Sequence, residues 1–290
     1  MKFNFTKYHG TGNDFIIIDN RKKVFVPPAE QEKAMIALLC HRHYGVGADG
    51  LILIDEDAAE DFRMHYYNSD GKMGSLCGNG SRCAAAFASH FIFPGRQQFR
   101  FRAVDGIHEA SLINPHPLRP IVSVTLNPVK YPLRVSPDNY IVDTGSPHWV
   151  RFVRELNKVD VISLGRKIRH AKEWAPGGIN VNFVEESGKN VLSVRTYERG
   201  VEEETLSCGT GVTAAAIAAW AHHPGEVARS ANEIHTPGGK LEVSFHSPDT
   251  QYNHFHNINL KGPAQFVFRG EMHMKTLQQA LTNSNEPTEQ

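Results

Sequence analysis

Apolar residues in this chain of 290 residues occur mainly in short runs, separated by clusters of Gly, Pro, Asn, Asp and Ser. Such runs, bounded by turn-forming residues, predict β-strands. Strands are predicted at Phe3–Tyr8, Phe15–Asp19, Leu51–Asp55, Ile121–Leu126, Tyr140–Asp143, His148–Val153, Asn180–Glu185 and Asn257–Phe268. Helices are predicted near Pro28–Tyr44 and Ser163–Ala171. The pattern indicates a chain that mixes a few helices with many strands.

Two further segments are near-copies of each other, and each begins with a cysteine. They are Cys77-Gly-Asn-Gly-Ser-Arg-Cys-Ala-Ala-Ala-Phe87 and Cys208-Gly-Thr-Gly-Val-Thr-Ala-Ala-Ala-Ile-Ala218. Each predicts a loop that delivers Cys-Gly-x-Gly to the first turn of a helix that is apolar on every face and therefore buried. A helix N-terminus lowers the pKa of a thiol and binds carboxylates. Two such ends facing one small anion would supply the opposed bases that inversion at a carbon acid needs.

The repeat extends beyond the two cysteine segments. A strand and turn precede each cysteine, at Phe62–Gly71 and at Val191–Gly200, and a hairpin around Gly follows, at Val104–Leu112 and at Pro237–Phe245. A repeat of this length indicates a duplicated domain, and the chain length suits two domains. The proline-containing stretch 127–137 is the predicted linker. We expect one domain at 1–126 plus 264–290 and the other at 127–263, with a polar, disordered tail from Thr282.

The charge balance limits the classes of partner. Lys plus Arg and Asp plus Glu both number 31, so no uniform field would hold a nucleic acid. The N-terminus lacks the apolar core of a signal peptide, and no apolar run is long enough to span a membrane. We therefore expect a cytoplasmic protein with neither a nucleic-acid nor a membrane partner. Its cysteines should be reduced, with Cys40 and Cys83 as small buried hydrophobic residues.

Three other motifs need weighing. Gly45-Val-Gly-Ala-Asp-Gly50 matches a dinucleotide-binding fingerprint, but it follows a helical segment and precedes a strand, the reverse of the order that this site needs. The 16 histidines show none of the spacings of a zinc site, so no metal is expected. The pair Glu198-Arg199 precedes the second cysteine loop, where Arg could hold a carboxylate in bidentate fashion and Glu an ammonium. Asn68 occupies the corresponding place before Cys77.

Seven motifs, taken together, resemble the diaminopimelate epimerase family. They are His9-Gly-Thr-Gly-Asn-Asp-Phe15, Gly47-Ala-Asp-Gly50, Tyr67-Asn-Ser-Asp-Gly71, Cys77-Gly-Asn-Gly-Ser-Arg-Cys83, Gly145-Ser-Pro-His148, Tyr197-Glu-Arg-Gly200 and Cys208-Gly-Thr-Gly211. The resemblance spans nearly the whole chain. It implies an α/β (α+β) fold of two similar domains, each a mixed or antiparallel sheet curled around a central buried helix, with the active site in the inter-domain cleft. It also implies a PLP-independent isomerase that needs no cofactor.

The same resemblance implies the site residues. Cys77 is similar to the catalytic proton donor and Cys208 to the proton acceptor, with His148 and Glu198 as polar neighbours that tune the thiols. The substrate-binding positions that it implies are Asn13, Asn68, Gly78, Asn79, Asn180, Glu198, Arg199, Gly209 and Thr210. Two positions depart from some members, since Gly50 stands where certain relatives have Gln and Ser146 where certain relatives have Asn.

The expected reaction interconverts LL- and meso-2,6-diaminopimelate, on the route to lysine and peptidoglycan. One thiolate removes the α-proton while the other thiol delivers a proton to the opposite face. Two alternatives stay open: another cofactor-independent racemase of the same fold, such as a proline racemase, and a thiol redox or zinc-binding protein. The expected partners are the small-molecule substrate and a second copy of the chain in a homodimer.

Overall fold

The computed structural model describes residues 2–223, 231–248 and 253–284, with side chains up to residue 281. The strands in this part of the chain are β1 Lys2–Gly10, β2 Asn13–Asp19, β3 Gly50–Asp55, β4 Phe62–Asn68, β5 Gln98–Ala103, β6 Gly106–Asn114, β7 Ile121–Leu126, β8 Val129–Lys130, β9 Leu133–Ser136, β10 Asn139–Asp143, β11 Pro147–Phe152, β12 Asn180–Gly188, β13 Val191–Glu198, β14 Glu203–Thr205, β15 Ala231–Thr236, β16 Gly239–His246, β17 His254–Pro263 and β18 Gln265–His273. The α-helices are α1 Glu32–Cys40, α2 Gly78–Phe87, α3 Val161–Arg169, α4 Gly209–His222 and α5 Met274–Ser284.

The chain divides into two compact units. Unit 1 contains Met1–Gly10, Asp14–Val122 and Ala264–Gln290, and unit 2 contains Thr11–Asn13 and Ser123–Pro263. The short turn Thr11–Asn13 therefore groups with unit 2, although the strands on either side of it belong mainly to unit 1.

Unit 1 is a mixed sheet around the buried helix α2. β1 pairs with β18 antiparallel, β2 with β3 parallel, β3 with β4 antiparallel, β4 with β5 parallel and β5 with β6 antiparallel. Every residue of α2 is buried, and the helix contacts β1, β3, β4 and β6. A helix without a polar face has to be enclosed in this way, because any exposed side would leave apolar surface in water.

Unit 2 repeats this order around α4. β10 pairs with β11 antiparallel, β11 with β12 parallel, β12 with β13 antiparallel, β13 with β15 parallel and β15 with β16 antiparallel. Its core gathers the Ala, Val and Ile residues of α4 with apolar residues from the surrounding strands. The predicted fold of two similar domains, each with a sheet around a central buried helix, is confirmed.

The duplication extends to single contacts. In unit 1 the hydroxyl of Tyr8 lies 2.8 Å from Nδ1 of His90, just beyond the end of α2. In unit 2 the hydroxyl of Tyr140 lies 3.0 Å from Nδ1 of His222, at the end of α4. Both pairs join the first strand of the repeat to the far end of its central helix, so the two cysteine helices are held in equivalent places.

Several predicted elements need correction. The single strand predicted at Asn257–Phe268 is two strands, β17 and β18, which are interrupted at Ala264. The predicted linker 127–137 contains β8 and β9, because its prolines lie beside these strands rather than inside them. The predicted helix Pro28–Tyr44 is reduced to α1, Glu32–Cys40, and α5 was not predicted at all. α5 also runs through the first residues of the tail predicted to be disordered, and residues 285–290 lie outside the described part of the chain.

Candidate active site

Cys77 caps the N-terminus of α2. Its backbone is extended, its Sγ accepts a hydrogen bond from the Gly80 N–H at 3.4 Å, and its carbonyl accepts one from the Ser81 N–H at 2.8 Å. The thiol therefore lies at the positive end of the helix dipole, within the first turn, where this field is strongest. The N–H groups of Gly78 and Asn79 lie in the same turn, ahead of the regular hydrogen-bond ladder of the helix.

A buried guanidinium lies beneath this turn. Arg82 is fully buried, and it donates to Asn79 Oδ1 at 2.9 Å and to the carbonyl of Gly78 at 3.3 Å. Burial lowers the pKa of Arg82 to about 10, and the charges of Cys83 and Cys77 act in the opposite direction. Arg82 is still a cation at neutral pH, so unit 1 places a positive charge close to the Cys77 thiol.

Cys208 caps α4 in the corresponding way. Its backbone is extended, its carbonyl accepts from the Val212 N–H at 2.9 Å, and its Sγ lies 3.5 Å from the hydroxyl of Thr210. One turn into the helix, Thr213 donates to the carbonyl of Gly209 at 2.9 Å. Thr213 thus takes the place in unit 2 that Arg82 takes in unit 1.

His148 is fully buried next to this second thiol. Its Nε2 lies 3.1 Å from the hydroxyl of Thr210, and its Nδ1 lies 3.0 Å from Nδ2 of Asn182. Burial lowers the pKa of His148 to about 3, and the positive charge of Arg199 lowers it further. The imidazole is therefore neutral at pH 7, and it acts on its neighbours through hydrogen bonds rather than through charge.

Arg199 is held by Ser146 and Asn180. Its backbone N–H donates to Asn180 Oδ1 at 2.9 Å, and its Nη2 donates to Ser146 Oγ at 3.2 Å. The amide of Asn180 donates to the same Ser146 oxygen at 2.9 Å. Glu198, the half-buried last residue of β13, immediately precedes Arg199. These contacts hold Arg199 at its backbone and at one nitrogen of its guanidinium group.

The remaining predicted residues lie at strand ends. Asn68 is the exposed last residue of β4, as Glu198 is the last residue of β13. Asn13 opens β2 and groups with unit 2. Gly50, where some family members have Gln, has no room for a side chain in this backbone, because a Cβ would lie 2.5 Å from the Tyr66 ring and from the Tyr67 carbonyl.

The glycine-rich motif at residues 45–50 has a structural explanation. Lys7, which is buried, forms an ion pair with Asp14 at 2.7 Å and donates to the carbonyl of Gly47. Arg42 donates to both carboxylate oxygens of Asp14, at 2.9 and 3.1 Å, and to Asp49 at 2.7 Å. These ion pairs fasten the loop between α1 and β3 to the first two strands, in a context unlike that of a nucleotide site.

The other two cysteines, Cys40 and Cys83, are buried. Burial raises the pKa of Cys40 to about 12, and it raises the pKa of Cys83 as well. Such thiols are unreactive.

Within residues 2–223, 231–248 and 253–284, no group of three or more His, Cys, Asp or Glu side chains could hold a metal ion. In the same residues, no helix combines the length and the apolar character that crossing a bilayer requires.

Comparison with known proteins decides the family. The family model described as diaminopimelate epimerase matches residues 5–127 and 140–267 of the chain. The chain belongs to this family. It is 47% identical to the diaminopimelate epimerase of Flavobacterium psychrophilum, over 90% of this chain and 97% of that one. It is 36% identical to the diaminopimelate epimerase of Aquifex aeolicus, over 94% and 99% of the two chains.

Solved structures share the fold at low sequence identity. A phenazine biosynthesis protein of the PhzF family from Bacillus anthracis has a TM-score of 0.71 at 15% identity and covers 94% of this chain and 100% of its own. A hydroxyproline epimerase from Agrobacterium vitis has a TM-score of 0.67 at 13% identity, with 94% and 93% covered. These likenesses concern the fold alone and do not distinguish between substrates.

Sequence reasoning missed four side chains in the hydrogen-bond networks around the predicted site residues. Arg82 lies beneath Cys77, Ser146 connects Asn180 with Arg199, and Asn182 and Thr196 lie behind His148. The signal was present for two of them, since Asn182 and Thr196 are polar residues on strands that are otherwise apolar and buried. A buried polar side chain without a partner is costly, so such positions imply a hydrogen-bond network.

Proposed function

We propose that this protein interconverts LL- and meso-2,6-diaminopimelate through a thiolate and a thiol, Cys208 and Cys77, without a cofactor. The observation that carries the proposal is the duplication itself. Each unit presents a cysteine at the N-cap of a fully or largely buried helix, at the same place in the same Cys-Gly-x-Gly sequence. Family membership supports the substrate.

The chemistry follows from what two such thiols can do. In the direction from LL to meso, Cys208 as thiolate takes the α-proton, so the Cα–H bond breaks and an S–H bond forms. Cys77 as thiol gives its proton to the opposite face of the same carbon and is left as a thiolate. No atom or electron is gained or lost overall, and the roles exchange in the reverse direction. The mechanism requires that both thiols reach one α-carbon.

The weak acidity of the α-hydrogen has to be offset by stabilising the carbanion electrostatically. The first-turn N–H groups of Gly78, Asn79, Gly209 and Thr210 would bind the carboxylate on the reacting carbon. Each helix dipole favours negative charge at the N-terminus of its own helix. Arg199 and Glu198 would hold the distal carboxylate and ammonium, with Asn13, Asn68 and Asn180 as further polar contacts.

This distal recognition separates the proposal from its nearest alternative. A proline racemase acts on a cyclic monocarboxylate, which offers nothing for Arg199 to bind, whereas diaminopimelate carries a second carboxylate. The thiol redox and zinc-binding alternatives lack support in the family comparison. A cytoplasmic location, a homodimer and the absence of a nucleic-acid partner stay predictions, and none of them enters the mechanism.

The test replaces each thiol in turn. Cys77→Ala and Cys208→Ala should each abolish conversion of LL- to meso-diaminopimelate, because each removes the proton carrier of one face. Proton NMR in deuterated buffer would follow both conversion and exchange of the α-hydrogen. The parent protein should keep its activity after treatment with a chelator and with hydroxylamine.

Two matched variants control for damage to the fold. Cys40→Ala and Cys83→Ala remove thiols that are buried and whose pKa is raised, so epimerisation should continue near the parent rate. If the Cys77→Ala protein still epimerised at a substantial fraction of the parent rate, the two-thiol mechanism would be wrong.

A further inference from the structure

A buried chain of hydrogen bonds in unit 2 ends on the Cys208 thiol. The hydroxyl of Thr196 donates to Asn182 Oδ1 at 2.9 Å, and Asn182 Nδ2 lies 3.0 Å from Nδ1 of His148. Nε2 of His148 lies 3.1 Å from the hydroxyl of Thr210, which in turn lies 3.5 Å from Cys208 Sγ. Thr196, Asn182 and His148 are all buried, so water does not compete for the contacts among these three residues.

The orientation of the Asn182 amide decides which group donates and which accepts at each of these hydrogen bonds. Its Nδ2 lies 3.3 Å from the carbonyl of Trp149 as well as beside His148. Rotating the amide by half a turn would bring its oxygen against that carbonyl oxygen, two acceptors facing each other, so the amide nitrogen has to point this way. Nδ1 of His148 then accepts a hydrogen bond and carries no proton.

The remaining proton of His148 therefore lies on Nε2, which donates to the hydroxyl of Thr210. The single hydrogen of that hydroxyl is left for Cys208 Sγ. Because burial keeps the imidazole neutral, the direction of the chain does not change across the pH range in which a thiol titrates.

We propose that Asn182, with Thr196 behind it, is a positioning residue for the reaction: it fixes His148 as an Nε2–H donor and so turns the Thr210 hydroxyl toward Cys208, where it stabilises the thiolate. The proposal rests on the proposed function of Cys208. In this proposal, a series of uncharged hydrogen-bond donors stabilises the Cys208 thiolate.

Comparison with unit 1 indicates that the fold does not require this series of hydrogen bonds. By strand register, His148, Asn182 and Thr196 correspond to Phe15, Ile52 and Tyr66 around the Cys77 helix. The same architecture thus accepts aromatic and aliphatic side chains at these positions. Burying three polar side chains in unit 2 instead is costly unless every group is satisfied. Their connection to Cys208 gives a reason for their presence.

The charged groups near these hydrogen-bonded residues are the same in the parent protein and in every variant tested. Arg199 lies close enough to lower the pKa of His148, and Glu198 precedes it on β13. Asp143, at the end of β10, accepts from the Gly145 N–H at 3.0 Å. Arg195, next to Thr196 on β13, pairs with Glu204 at 2.7 Å and also donates to the carbonyls of Leu156 and Val159. None of these residues is altered in the variants below, so their fields are constant in the comparison.

The first test measures the rate at which iodoacetamide alkylates each cysteine, resolved by peptide mass spectrometry across pH. Thr210→Val should slow alkylation of Cys208 at neutral pH by about tenfold or more, as expected for loss of a hydrogen bond to a charged acceptor. Asn182→Leu should slow it by a smaller factor, since His148 could then take either tautomer. Thr210→Ser, which keeps the hydroxyl, should restore the rate to within about threefold of the parent.

Thr213→Val is the matched control, because Thr213 is buried in the same helix and its hydroxyl donates to the Gly209 carbonyl rather than to the thiol. Its Cys208 should react like that of the parent. Cys77 serves as an internal reference in every sample. Unchanged Cys208 reactivity in both Thr210→Val and Asn182→Leu would overturn the proposal.

The second test reads the tautomer of His148 directly. In protein labelled with nitrogen-15 at histidine, the parent should show Nδ1 of His148 without a proton and Nε2 with one, the signals being assigned by their loss in His148→Gln. Asn182→Leu should mix the two tautomers. A proton on Nδ1 in the parent would refute the proposed direction. Failure of the parent to epimerise diaminopimelate would instead count against the proposed function and leave both of these measurements interpretable.

Discussion

The same substitution, made at the equivalent glycine of each unit, should destabilise the protein in unit 2 and have little effect in unit 1. Gly80 in α2 and Gly211 in α4 hold the same position three residues after their cysteines. A Cβ on Gly211 would lie 2.4 Å from Asn182 Oδ1, whereas a Cβ on Gly80 would lie 3.1 Å from the terminal methyl of Ile52. The methyl group of Gly211→Ala would therefore clash with an oxygen that is held by a hydrogen bond. The methyl group of Gly80→Ala would meet only the movable end of an apolar side chain.

The magnitudes separate the two variants. Asn182 Oδ1 would have to retreat by roughly 1 Å to reach ordinary contact, which breaks its hydrogen bond from Thr196 or shifts the amide away from His148. A buried polar group left unsatisfied costs about 1–3 kcal/mol, and overpacking costs about 1–3 kcal/mol. Replacing Gly by Ala inside a helix returns about 1 kcal/mol. We expect Gly211→Ala to lose about 2–4 kcal/mol and Gly80→Ala to stay within about 1 kcal/mol of the parent.

Scanning calorimetry and epimerase kinetics on the two purified variants would measure this difference. At about 2–4 °C per kcal/mol for a protein of this size, the Tm of Gly211→Ala should fall below that of the parent by about 4 °C or more, and that of Gly80→Ala should fall less. Its kcat should also be the lower of the two, because the support of Cys208 is disturbed. Equal Tm and kcat values for the two variants would show that Asn182 is not held where this reasoning requires.

Three further predictions concern charge. The free energy of unfolding should fall as the pH drops from 6.5 toward 3, by up to about 1.4 kcal/mol per pH unit, because His148 is protonated in the unfolded chain but stays neutral in the folded protein. Urea titrations of the parent and of His148→Gln should show different pH dependences of this free energy in that range and the same pH dependence above it. Arg199→Lys should raise KM for diaminopimelate by about tenfold or more through loss of bidentate geometry, and lysine should be a very poor substrate of the parent. Arg82→Met should lower stability by about 2–5 kcal/mol, since it leaves Asn79 Oδ1 and the Gly78 carbonyl without their donor, and alkylation should slow at Cys77 more than at Cys208.

The sequence predicts well those features that depend on residues close together along the chain. The two cysteine helices, their flanking strands and turns and the duplication are all visible as repeated residues, because the same backbone geometry needs the same glycines and small apolar residues in both copies. Ile121–Leu126 was predicted with its observed bounds, and most other strands differ only at their ends. The predicted position of the glycine-rich motif at residues 45–50, after a helix and before a strand, is confirmed.

What sequence reasoning could not supply depends on contacts between distant residues. The joint role of Asn182, Thr196 and His148 arises because three neighbouring strands bring them under one helix, and nothing in their spacing along the chain shows it. Arg82 reads as part of a polar first turn until the fold encloses it completely. α5 was missed because its polar, short sequence gives a weak periodic signal, and its helix depends on packing against α1 and β18.

The two thiols thus share a position but differ in how a negative charge on each is stabilised. A buried guanidinium acts through space on Cys77, whereas in the proposed arrangement Cys208 receives a hydrogen bond from the Thr210 hydroxyl, whose orientation Asn182 sets through His148. The first kind of support persists when the thiol moves by a fraction of an ångström, since a Coulomb interaction falls slowly with distance. The second is lost with the contact. Because the two residues exchange roles with the direction of the reaction, each must exist as a thiolate at some stage, and the proposed mechanism accordingly needs a stabilising group behind both helix ends rather than behind one.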